Sequence, residues 1–152
     1  MKIWQGLLLS VVAASAQAWA QSQVDQTCDA APNGTVRINN VAGSVNVQAW
    51  DRGQVQVTGT LGKDVERLDF ACSGNIVTIE VVVPKNGNKK IESQLTISVP
   101  KMSSLNVEAV SADVGIRDVT GEIDASTVSG DLSVERAQSR LYAETISGGL
   151  TV

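Results

Sequence analysis

A nine-residue repeat beginning at Leu105 constrains the fold more than any other feature of this chain. In blocks of nine the sequence reads LNVEAVSAD, VGIRDVTGE, IDASTVSGD, LSVERAQSR, LYAETISGG and LTV. The first position is Leu105, Val114, Ile123, Leu132, Leu141 and Leu150. The third is Val107, Ile116, Ala125, Val134, Ala143 and Val152, and the sixth is Val110, Val119, Val128, Ala137 and Ile146. All of these are apolar, whereas the remaining positions are polar or glycine except Ala109, Ala112 and Tyr142. Alternation at the first and third positions predicts a short strand with one buried face. The sixth position predicts a third inward column. The small and polar seventh to ninth positions suit a turn.

The blocks also alternate with one another. Odd blocks carry V-S-A-D, V-S-G-D and I-S-G-G, even blocks V-T-G-E and A-Q-S-R. The fifth residue is Ala109, Thr127 or Thr145 in odd blocks but Asp118 or Arg136 in even ones. The period is therefore 18, with two nonequivalent strands per coil, and coils stacked at the strand spacing of about 4.8 Å predict a parallel β-solenoid. A helix does not fit, because the apolar spacings follow no 3.6-residue stripe and Val, Ile, Thr, Ser and Gly are weak helix formers. Val36 to Trp50 carries the same pattern, and Val55-x-Val57 follows it with one insertion. Between lies a different region. Leu68-x-Phe70-x-Cys72, the turn Ser73-Gly74-Asn75 and Val77-x-Ile79-x-Val81-x-Val83 predict a hairpin, and Leu95-x-Ile97-x-Val99 a strand ended by Pro100. Gly62 to Glu66 fits one helical turn. The fold class expected is all-β: a small antiparallel β region over 34–103 leading into solenoid repeats over 104–152.

Residues 1–20 read as a signal peptide. Lys2 supplies a charge, Leu7 to Ala16 is too short an apolar run to span a bilayer, and Ala18-Trp19-Ala20 is a cleavage signal. Residues 21–33 form an N-terminal tail, and no membrane span is expected after cleavage. Export gives the two cysteines a meaning: Cys28 and Cys72 are the only pair, and an oxidising compartment favours a disulfide between them. The alternatives are a redox pair, for which the spacing is wrong, and two free thiols. The chain has no histidine, which excludes His-based catalytic triads, proton shuttles and His-ligated zinc. Aromatic residues are 3% and the net charge is −4, so neither sugar-stacking platforms nor nucleic acid or anionic lipid is expected. No cofactor and no metal is expected either.

The motifs V-S-x-D-V-x-I, V-S-G-D-L-x-V and I-S-G-G-L-x-V, preceded by G-T-V-R-I-N-N-V-A-G-S-V-N-V-Q-A-W-D, resemble the exported bacterial β-strand-repeat proteins called putative adhesins, a domain of unknown function. The resemblance covers Gly34 to Val152. It implies a β-solenoid, a periplasmic or cell-surface location in the cell envelope, and no catalytic residues. One departure is that the array stops in mid-coil at Val152. The expectation is a truncated chain, or a partner or missing segment that caps the last coil.

The repeat-turn residues Ser111, Asp113, Ser129, Gly130, Asp131, Ser147 and Gly148 admit functional readings. The Asp113 and Asp131 column could hold a cation, as in calcium-binding β-rolls. It lacks the ligands such a site needs, so the Asp residues read as turn formers. The serine column reads as a hydrogen-bonded ladder. The loop KNGNKK at 85–90 reads as a solvated hairpin tip rather than an anion patch. On the outer face, Glu108, Asp124, Thr127, Tyr142, Glu144 and Thr145 form a candidate interaction face. A carbohydrate-active β-helix enzyme could work with carboxylates alone, but no pair can be placed at a catalytic separation. The expected function is a non-enzymatic, exported interaction module of adhesin type with an unknown envelope or cell-surface partner. A periplasmic structural or envelope-associated module is the alternative.

Overall fold

In the computed structural model, described for residues 22–85 and 90–152, the chain is all-β, and its strands join one open mixed sheet. The expected signal peptide and most of the KNGNKK loop lie outside the described residues.

The organising element is β2 (Thr35–Trp50), a 16-residue strand whose buried residues alternate on each side of a bend near Asn40. Before the bend it pairs in parallel with β5 (Ile76–Val82), and after it with β6 (Glu92–Pro100). On its other side β2 pairs in parallel with β7 (Ser104–Arg117) along nearly its whole length. The sheet therefore forks into two wings that share one apolar cluster. The first wing runs from β4 (Arg67–Ser73) through β5, β2 and β7 to β8 (Ile123–Thr127) and β10 (Leu141–Thr145). The second runs from β1 (Ser22–Asp29) through β3 (Gln54–Leu61), β6, β2 and β7 to β9 (Leu132–Glu135) and β11 (Leu150–Thr151).

In the repeats, Leu105 stands beside Ile123 and Ile123 beside Leu141, while Val114 stands beside Leu132 and Leu132 beside Leu150. Every partner is 18 residues on and every pairing is parallel, as the period requires. Among the described residues, antiparallel pairing is confined to β1 with β3, β3 with β6, and β4 with β5. These strands do not form a separate region before the repeats: β5 and β6 flank β2 and extend both wings, so the sheet is mixed.

Several local expectations hold and one does not. The β4–β5 hairpin turns at Gly74, whose φ of 60° is the left-handed conformation such a turn needs. Gly62 to Glu66 makes a single tight turn, closed by a bond from the Val65 amide to the Gly62 carbonyl, instead of the expected turn of helix. Cys28 and Cys72 are bridged. Their strands, β1 and β4, are the outermost strands of the two wings, so the disulfide closes the sheet stack at the end away from the repeats. The tail is more ordered than its sequence suggests: residues 22–29 pair with β3 over their whole length.

The sixth column requires correction. Val119 is buried and Ala137 partly so, but Val110, Val128 and Ile146 are 48%, 43% and 72% exposed. In odd blocks the alternation carries on through the fifth residue. Ala109 and Thr127 are buried, Thr145 is half-buried, and the sixth residue comes to lie outside. In even blocks the fifth residues, Asp118 and Arg136, take φ values of 64° and 59°. This left-handed step turns the next residue inward.

Candidate interaction face

The outer side of the first wing is built row by row from register. One row reads Thr78, Arg37, Asn106, Asp124, Tyr142 across β5, β2, β7, β8 and β10. The next reads Glu80, Asn39, Glu108, Ser126, Glu144. Beyond it, at the bend, stands the exposed apolar column of Val110, Val128 and Ile146, with half-buried Val41 at the corresponding place in β2. A cleft of about 450 Å³ runs between the carboxylate row and this column, lined by Asn39, Val41, Glu80, Glu108, Val110 and Val128 among others.

The structure brings four of the six expected face residues together: Glu108, Asp124, Tyr142 and Glu144 are all exposed on this side. The Tyr142 hydroxyl donates to Glu144 Oε1 at 3.1 Å, and this bond with the Glu144 charge holds the phenol above its ordinary pKa. Thr127 and Thr145 do not belong to the face. Thr127 is 3% exposed and donates from Oγ1 to the Ala112 carbonyl at 3.2 Å. Thr145 donates likewise to the Gly130 carbonyl at 3.1 Å. These threonines form the hydroxyl ladder that the sequence reading places on the serines. At Ser129 and Ser147 it is the backbone amides that bond, to the Val110 and Val128 carbonyls.

The turn column is structural. Asp113 Oδ1 accepts from the Asp131 amide and Asp131 Oδ1 from the Gly149 amide, both at 2.9 Å, so each carboxylate ties down the backbone 18 residues on. Among the described residues no group of three or more His, Cys, Asp or Glu could hold a metal. Gly130 and Gly148 sit where a Cβ would come within 2.2 Å of the Ala112 carbonyl oxygen and 1.9 Å of the Gly130 carbonyl oxygen. Only glycine permits that backbone approach.

Charge is handled differently on the second wing and on the rows from β5 to β10 of the first, whose edge strand β4 carries its own pair, Arg67 with Asp69 at 2.9 Å. On the second, Arg117 stands beside Glu135 at 3.5 Å. At the adjoining corner Arg136 pairs with Asp118, which also accepts from Gln48 Nε2 at 2.9 Å. The bonds from Arg136 and then Gln48 lower the Asp118 pKa to about 2. On the first wing, no ion pair among the described residues involves Glu80, Glu108, Asp124 or Glu144. Sequence reasoning found the carboxylates but missed the apolar column, because its three residues look like core. The available signal was the odd–even difference at the fifth position.

No protein-family model matches the chain, and no curated protein is significantly similar to it. Solved structures do match. A putative cell adhesion protein from Clostridium sporogenes superposes with a TM-score of 0.52 at 10% identity, over 86% of this chain and 98% of that one. A putative lipid binding protein from Parabacteroides distasonis matches with a TM-score of 0.47 at 12% identity, over 84% of this chain and 59% of that one. A putative adhesin from the same organism matches with a TM-score of 0.41 at 14% identity, over 74% of this chain and 56% of that one. In fold, the chain is similar to the Clostridium sporogenes putative cell adhesion protein, a neighbour of the kind the repeat motifs lead one to expect.

Proposed function

We propose that the protein is an exported, non-enzymatic module of adhesin type, in which coils of a parallel β-solenoid present a repetitive surface to a partner in the envelope or at the cell surface. The solenoid reading is supported by the constant 18-residue offset of the parallel pairs from β7 to β11. The observation that carries the interaction role is the outer side of the first wing. It combines in-register carboxylates without ion pairs among the described residues with a contiguous exposed apolar column, whereas on the second wing and its corner Glu135 and Asp118 pair with Arg117 and Arg136. Exposed apolar side chains are ordinary when scattered, but an ordered column of them marks a contact surface.

The test is location. With a tag inserted at 85–90, protease shaving of intact cells is expected to remove the tag. Release by osmotic shock alone would overturn the surface role and favour the periplasmic structural reading. A glycan-release assay comparing the natural protein with Glu108→Gln and Glu144→Gln variants tests the non-enzymatic reading. Activity lost in either variant would overturn it.

A further inference from the structure

We infer that the outer side of the first wing, from the cleft to the exposed Ile146 beyond it, takes a cationic peptide segment in the polyproline II conformation, with Lys or Arg at every third residue, laid across the strands along Val110, Val128 and Ile146. The inference rests on the interaction role proposed above and names the partner's chemistry.

Two features select this occupant. The first is charge. Glu80, Glu108, Asp124 and Glu144 face solvent on the outer rows, where Arg37 is the one cation from β5 to β10, and Arg67 on the adjoining edge strand β4 is paired with Asp69. A cationic partner would supply the pairing that these four carboxylates lack among the described residues.

The second is spacing. From β5 to β10, in the row Glu80, Asn39, Glu108, Ser126, Glu144, the carboxylates fall on every second strand; beyond Glu80 stands Asp69 of β4, whose charge Arg67 already pairs. They therefore recur at about twice the strand spacing, about 9.6 Å. A β-strand ligand presents one side every second residue, about 6.7 Å, and falls out of step. A polyproline II segment presents one side every third residue at about 3.1 Å each, about 9.3 Å per turn, and keeps step along the row. Its apolar residues would then lie on the Val110, Val128, Ile146 column. Its backbone makes no internal hydrogen bonds, so its carbonyls remain free for the Asn39 amide and Ser126 hydroxyl that alternate with the carboxylates.

The experiment is a titration of the purified protein at low ionic strength with blocked nine-residue peptides. One repeats Lys-Pro-Val, one carries its three lysines at every second residue in otherwise equal composition, and one repeats Glu-Pro-Val. The Lys-Pro-Val peptide is expected to bind, and the respaced lysine peptide to bind at least about fivefold more weakly. The acidic peptide is expected not to bind. Glu108→Gln with Glu144→Gln, and separately Val128→Ser, should each weaken the Lys-Pro-Val peptide by at least about fivefold, with unchanged thermal unfolding showing that the variants fold.

Equal binding of the respaced peptide would reduce the effect to diffuse charge attraction and overturn the inference. So would indifference to Val128→Ser. Sedimentation showing a dimer that Val128→Ser dissociates would assign the column to a second copy of the chain and overturn it too. A tag removed by protease shaving together with no binding of any peptide would overturn this inference alone and leave the interaction role standing.

Discussion

Residues 22–100 and residues 104–152 build the same two wings by different means. The first set draws strands from distant parts of the sequence. Its core residues Val55, Val57, Ile79, Ile97 and Val99 are fully buried, and the Cys28–Cys72 bridge clamps its two outer strands. The second set adds near-copies of one level. Each is held by its neighbour 18 residues away, by threonine and aspartate ladders, and by glycines resting on carbonyls. Burial declines along it: Ile123 is 2% exposed, Leu141 half-buried and Leu150 47% exposed. The contrast predicts that the first set unfolds as a cooperative body and that the levels of the second answer mainly to their neighbours. Gly43 stands where the two meet, since β2 pairs with both β6 and β7.

The sharpest test of that contrast uses one substitution in two places. A Cβ on Gly43 would approach the Ser93 carbonyl oxygen to 2.1 Å, and one on Gly148 would approach the Gly130 carbonyl oxygen to 1.9 Å. Gly43 also has a φ of 111°. Gly43→Ala is expected to cost about 3 kcal/mol or more in urea unfolding, since strain and displaced backbone act together in the cooperative body. Gly148→Ala should cost less than about 1 kcal/mol, because the level that carries it can open locally. Equal losses would refute the additive picture.

Next in size, replacing both cysteines by serine should lower stability by about 2–4 kcal/mol. Hydrogen exchange should place the added opening in β1 and β4 rather than in β8 to β11. A smaller effect is expected at Asp118. Its folded-state pKa is depressed to about 2, so its contribution is present above the ordinary carboxylate value and lost as pH falls through about 2. Asp118→Asn tolerates the left-handed backbone but removes the charge. The stability difference between the natural protein and this variant should therefore shrink between about pH 4 and pH 2. The smallest effect is expected on the outer row: Glu108→Gln should change unfolding by less than about 0.5 kcal/mol in either direction. A large loss there would mean that the carboxylates of the first wing are structural.

The repeat register was legible because apolar side chains recurred at fixed places and stacked strands must align like with like. The β4–β5 hairpin was legible from alternation around Ser73-Gly74-Asn75. The outward turn of Val110, Val128 and Ile146 was not, because a Val after a small fifth residue looks like core until the backbone conformation is known. The left-handed steps at Asp118 and Arg136 carry no strong local signal, since neither residue is glycine. Strand β1 was missed because Val24 is the one buried residue over 23–29. The fork at β2 was hidden for a different reason: its two halves choose partners, β5 and β6, that no period links to them.

The bridge between Cys28 and Cys72 also bears on load. It holds residues 44 apart in sequence to a Cα separation of 6.6 Å, so a chain pulled from its two sides cannot release the segment between them. That withholds about 150 Å of contour length. Each 18-residue level of the stack, by contrast, can peel away and lengthen the chain by about 60 Å. Under tension the levels of the repeats would yield in steps of equal length, while the segment enclosed by the bridge keeps its grip.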